Sequence, residues 1–177
     1  MKEEATDILR GRKGQFEVSF GMIFSVIVII AVIVVAFYII MQFLEFKDCT
    51  ALGLYYDNLE SEINKAWAST GVTSKTFSGD VPSAVDYVCF GNLNKPASGE
   101  DRKRQTELAE RLDTNMHAYF YPSQSRCGEG IASHSFIRGS TDTVEINTFF
   151  CVPNIDGKAS VKLTKSNFDA SVKLTKA

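Results

Sequence analysis

Residues 18–44 carry no charge and no proline, and Ile, Val and Phe fall on every side of any helix drawn through them. As an α-helix this stretch is about 40 Å long, against roughly 30 Å of membrane hydrocarbon. A helix of a soluble core keeps a polar outer side, which this stretch lacks. A strand reading of residues 26–35 fails because the rest of the chain does not supply the partners of a closed barrel. The expectation is one transmembrane helix at 18–44, dividing the chain into a cytoplasmic leader at 1–17 and an extracytoplasmic domain at 45–177. That domain is large enough for one hydrophobic core.

Charge sets the expected orientation. Arg10, Arg12 and Lys13 lie close before the apolar stretch, and Lys47 is the one nearby cation after it, so the leader is expected to stay in the cytoplasm. Of the 19 cations and 21 anions in the chain, the leader holds four of each. The balance beyond it is nearly even, which argues against a nucleic-acid partner. The apolar stretch is too long for a secretory signal core, and no A-x-A site follows it closely, so the anchor is expected to be retained.

The four cysteines, Cys49, Cys89, Cys127 and Cys151, all fall on the expected outer side, where disulfides persist. No C-x-x-C pair occurs, so two disulfides are preferred to a zinc or redox site. Three pairings are open.

Beyond the membrane the helix is expected to continue. Leu52, Tyr55, Tyr56, Leu59, Ile63 and Trp67 recur at steps of three and four with charged residues between them, and Trp67 is the expected main anchor of the packing. Ser69, Thr70 and Gly71 supply a stop, with Gly71 near the position that favours a left-handed turn. Residues 72–80 read as loop. Residues 83–90 read as a strand, and residues 100–113 as a polar helix with Ser98 and Asp101 at capping-box spacing and Leu108, Ala109 and Leu112 inward. The Arg102, Lys103, Arg104 run reads as a solvated face. Further strands are expected at 116–121, 135–138 and 143–152. The heptapeptide ASVKLTK occurs at 159–165 and again at 170–176, which predicts a hairpin whose lysines guard a sheet edge. The fold class is α+β: the transmembrane helix runs on into an amphipathic helix packed on a small antiparallel sheet.

Catalytic motifs are absent from the sequence. His117 and His134 fall in separate expected strands, with no H-E-x-x-H or G-x-S-x-G pattern beside them. No catalytic residue, metal ligand or cofactor is expected, and the protein is not expected to be an enzyme. Gly21 and Ser25 form a small-x-x-x-small pair that lets membrane helices approach closely.

The run Arg12, Lys13, Gly14, Gln15, followed at once by a long apolar helix, resembles the class III signal peptide of archaeal type IV pilin-like proteins. It is also similar to the leader of archaeal single-span membrane proteins whose outer domains carry scattered cysteines. The resemblance implies that a membrane-embedded prepilin peptidase cuts between Gly14 and Gln15 and that the anchor stays on the mature protein. One departure is visible: the family's glutamate is usually the fifth mature residue, which here is Ser19, while the acid stands at Glu17. The expected function is a membrane-anchored structural or assembly subunit that packs with copies of itself. The alternative is a tethered domain that binds other surface proteins, peptides or glycans without polymerising. The expected partners are the lipid bilayer, the peptidase and either self-association or other surface proteins.

Overall fold

The structure, a computed structural model, describes residues 20–123, 127–138 and 141–177. The chain divides into two compact units, Met1–Gln42 and Phe43–Ala177. Helix α1, Phe20–Ala68, contributes to both. In the first unit its Met, Ile, Val and Phe side chains are exposed, among them Ile30 and Phe37. A helix near the N-terminus is thus long and apolar enough to span a membrane.

The second unit is α+β. After α1 come β1 (Thr73–Asp80), β2 (Tyr87–Phe90), α2 (Glu100–Ala109), β3 (Ala118–Tyr121), α3 (Glu129–Ala132), β4 (Ser133–His134), β5 (Ile137–Arg138), β6 (Thr141–Asp142), β7 (Val144–Glu145), β8 (Phe150–Pro153), β9 (Lys158–Lys165) and β10 (Val172–Lys176). Among the described residues the strands form a sheet ordered β1-β9-β10-β7, a sheet ordered β4-β3-β2-β8 and a β5-β6 ribbon. Every pairing between these strands is antiparallel except β10 with β7.

The expected stripe on α1 is the inner face of the core. Leu52, Tyr55, Tyr56, Leu59, Ile63 and Ala66 are buried against Phe77, Val161 and Leu163 of the first sheet and Val88, Phe90, Phe120 and Val152 of the second. The second sheet has two dry faces. Its alternate residues Cys89, Tyr119 and Cys151 join Leu93, Leu108 and Phe149 in a smaller cluster with Leu108 contributed by α2. Because a strand sends successive side chains to opposite faces, burial on both makes these strands continuously apolar, as in YVCF and FCVP.

Several expectations are corrected. Residues 73–80 are a strand and not a loop; TSKTFSGD buries Phe77 and is held by eight residue pairs with β9, a polar edge that shows no hydrophobic alternation. The two heptapeptides do pair, but they occupy the middle of the first sheet, flanked by β1 and β7, so their lysines do not guard an outer edge along their full length. The expected strand at 143–152 is split between β7 and β8, which belong to different sheets. Helix α2 ends at Ala109 and has no side-chain cap bond at its N-terminus, where Gly99 stands; Asp101 instead pairs with Arg104 and Lys176. Its buried residues are Gln105 and Leu108, with Ala109 exposed. Gln105 belongs inside because its amide donates to the carbonyls of Leu93 and Lys95, at 2.8 and 2.7 Å.

Two corrections concern the end of α1. Trp67 is partly buried at the margin of the core, its ring N–H donating to the Ala170 carbonyl at 3.0 Å, whereas Tyr55 and Tyr56 fill the centre. Gly71 is not among the left-handed residues. The final carbonyls are met instead by the Lys165 ammonium, which donates to Trp67 O and to Ser69 O at 3.0 Å, a cation where the helix dipole favours one. Near the other end of the sheet, Asp156 (φ 52°) and Gly157 (φ 77°) make the tight turn between β8 and β9. An Asp-Gly pair suits two successive left-handed positions.

Candidate functional site

The cysteines pair as Cys49–Cys127 and Cys89–Cys151. The second bridge joins residues directly opposite on β2 and β8, beneath α2. The first ties α1, one turn before its buried stripe begins, to the residue that precedes α3 in chain order by two positions. Of the other sequence candidates, Gly14 and Gln15 lie outside the described residues. Gly21 and Ser25 lie on α1, where the Ser25 hydroxyl donates to the Gly21 carbonyl at 2.8 Å within the same helix.

The two histidines, far apart in sequence, meet. His117 directly precedes β3, and its N–H donates to the carbonyl of His134 at 2.9 Å. The His134 ring stacks on Tyr56 at 4.7 Å and its Nε2 lies 3.2 Å from a Glu60 carboxylate oxygen on α1. His117 Nδ1 accepts from the Phe136 N–H at 3.1 Å and sits 3.1 Å from the Ser135 hydroxyl; Nε2 is 3.7 Å from Asp142. Burial lowers the His117 pKa from its ordinary value; Asp142 opposes that shift, and the neighbouring His134 adds to it.

Ser135, His117 and Asp142 together have the residue types of a hydrolase triad, but the arrangement serves structure. The lone pair at Nδ1 already accepts a backbone N–H, so it is not free to take the Ser135 proton, and 3.7 Å is too long for the carboxylate to orient the ring through a direct bond. Among the described residues, no three His, Cys, Asp or Glu side chains converge to hold a metal ion. Neither Glu60 nor Asp142 carried any sequence signal for these contacts, because both pairings span long stretches of chain.

A second feature is a groove of about 440 Å³ beside β10. Pro96, Ala97, Phe149 and Leu174 line its apolar part, with Asp101 and Lys176 at its side. It exists because β7 pairs with Val172 and Lys173 alone, after which the chain turns away into β8 and leaves Leu174–Lys176 without a strand on that side. Arg104 of α2 lies over the Tyr87 ring at 3.8 Å, so the basic run is solvated at Arg102 and Lys103 but engaged at Arg104.

No protein-family model matches the chain, and neither a curated protein nor a solved structure matches it. The site residues therefore stand on their own geometry.

Proposed function

We propose that the protein is a single-pass membrane-anchored extracytoplasmic subunit of pilin-like type, inserted by its leader, cut after Gly14 and able to pack through its apolar helix. The observation that carries this reading is the division of labour along α1: an exposed, uncharged apolar stretch through residue 44, followed by a stripe from Leu52 to Ala66 buried under a disulfide-bridged α+β domain. An apolar helix left bare in water loses roughly 25 cal/mol for each Å² of apolar surface not covered. Lipid, or identical helices moving directly out of lipid, would supply the cover. The two disulfides suit an oxidising outer compartment.

Expression of the full chain with a prepilin peptidase, followed by mass spectrometry of the membrane fraction, tests the reading. A mature terminus at Gln15, abolished by Gly14→Trp, is the expected result. An intact Met1 in the presence of active peptidase would count against it, as would recovery of the protein from the soluble fraction without detergent. Electron microscopy of the processed protein then distinguishes a filament subunit from a subunit that assists assembly.

The groove beside β10 favours the second reading, a tethered binding domain. Open backbone groups at a strand end above an apolar floor are the usual receptor for an extended peptide. Membrane insertion without filaments, together with a peptide ligand whose binding is lost on Ala97→Trp, would select it.

A further inference from the structure

Phe136 is wholly buried, and both of its backbone groups are held by residues outside its own segment. Its N–H donates to Nδ1 of His117 at 3.1 Å, and its carbonyl accepts from the N–H and the hydroxyl of Thr143 at 3.2 and 3.1 Å. The Thr143 carbonyl in turn accepts the Val172 N–H of β10 at 2.9 Å. Through Phe136 the segment bearing β5 and β6 is thus joined to β3 on one side and to the first sheet on the other. The joint depends on one lone pair. An imidazole protonated at Nδ1 is a donor there and has nothing to offer an amide N–H. The Ser135 hydroxyl, also 3.1 Å away, can turn and accept from the new N–H. The Phe136 amide has no such option and would be left as a buried donor facing a donor.

We propose that His117 is an acid-operated latch: one proton taken from solvent at Nδ1 expels the Phe136 N–H and frees residues 135–138 from β3 and β4. The groups that face the histidine among the described side chains are Asp142 from β6, which favours the proton, and His134 from β4, which opposes it. Glu60 and Tyr56 of α1 act through His134, the first by its carboxylate 3.2 Å from Nε2 and the second as the ring beneath it. The latch is closed at neutral pH because burial favours the neutral ring and the Phe136 N–H selects the tautomer whose Nδ1 is bare. Opening it uncovers the rings of Phe136 and Tyr56, which are in edge contact at 6.5 Å, and so turns a sealed corner of the domain into an aromatic surface. This inference does not depend on processing at Gly14 or on filament assembly.

Amide hydrogen exchange of the full chain in detergent micelles tests it, with protection factors corrected for the intrinsic pH dependence of exchange. Between about pH 7.5 and about pH 5, a span that brackets the ordinary histidine pKa, Phe136 protection is expected to fall at least about tenfold while Val161 in the middle of β9 changes less than about twofold. His117→Asn places a carbonyl oxygen near the Nδ1 position without a titrating proton, so its Phe136 protection should stay level. A level profile in the wild type overturns the latch, as does an equal fall in H117N or an equal fall at Val161. Should H117N fail to fold, the imidazole nitrogen shifts of the wild type decide. A bare Nδ1 at neutral pH that gains its proton in step with the loss of Phe136 protection supports the latch, and an Nδ1 already protonated at neutral pH overturns it.

Discussion

The two parts of α1 obey opposite rules. Up to Leu44 every described face is apolar and exposed, whereas from Leu52 onward one face is apolar and buried and the other carries Asp57, Ser61 and Asn64. One element is a helix that needs an apolar surrounding; the other is a helix that needs a sheet. The lesson is that propensity alone distinguishes neither, since both are continuous helix, and that the pattern of charges decides what each will accept as a neighbour. The change of rule falls at Cys49, where the covalent bond to Cys127 fastens the helix to the domain.

The sharpest way to break the comparison is at that boundary. Replacing Cys49 and Cys127 together by Ala opens a 78-residue separation, which in the chain-entropy view removes about 4.5 kcal/mol of domain stability. Chemical denaturation of the domain should report that loss while membrane association is unchanged. Next in size, Ile30→Lys acts on the exposed part alone: a lysine at the middle of a span costs about 2.5–3.5 kcal/mol on insertion scales, so the membrane fraction should fall while the melting temperature of the domain stays put. Gly79→Ala does the reverse. A Cβ there would stand 2.6 Å from the Tyr55 ring, so the substitution should cost the domain about 1–3 kcal/mol and leave membrane association intact.

A smaller effect has the opposite sign. The hydroxyls of Tyr55 and Tyr56 are buried without a hydrogen-bond partner among the described residues, and burial raises the pKa of both. Tyr55→Phe or Tyr56→Phe should therefore stabilise the domain by about 1 kcal/mol in a denaturant midpoint. The smallest effect is a slope with pH. Because the folded His117 binds its proton less readily than the unfolded chain, stability is complete above the ordinary pKa of 6.5 and declines as pH falls from there toward the lowered folded value. Glu62, held below its ordinary range by hydrogen bonds from Lys75 and Lys65, keeps its contribution above about pH 4.5 and loses it as pH falls from there, a decline that titrating calorimetry follows.

What could be read from the chain follows the same division. The stripe from Leu52 to Ile63 was legible because helical spacing is local, and each residue named in it is buried. Strand β1 was not, since its hydrogen bonds come from β9, some eighty residues on, and its side chains face water on most positions. The turn at Asp156 and Gly157 is of the kind a short window does encode, an Asp-Gly pair in two left-handed positions. The pairing of the cysteines and the meeting of His117 with His134 required the register of β2 with β8 and of β3 with β4, which no short window encodes. Gln105 lies inside because its carbonyl partners, Leu93 and Lys95, sit in a loop that the fold brings beneath α2.

The bridge at Cys49 has a mechanical meaning as well. If the domain were pulled between Leu44 and its carboxyl end, force entering along the helix would cross the sulfur bond to Cys127 and pass into the residues after it, and the second bridge, Cys89–Cys151, would tie β2 to that path at β8. The segment beyond Cys151 lies outside both bridges, so the strands it bears, β9 and β10, would be the part that yields first.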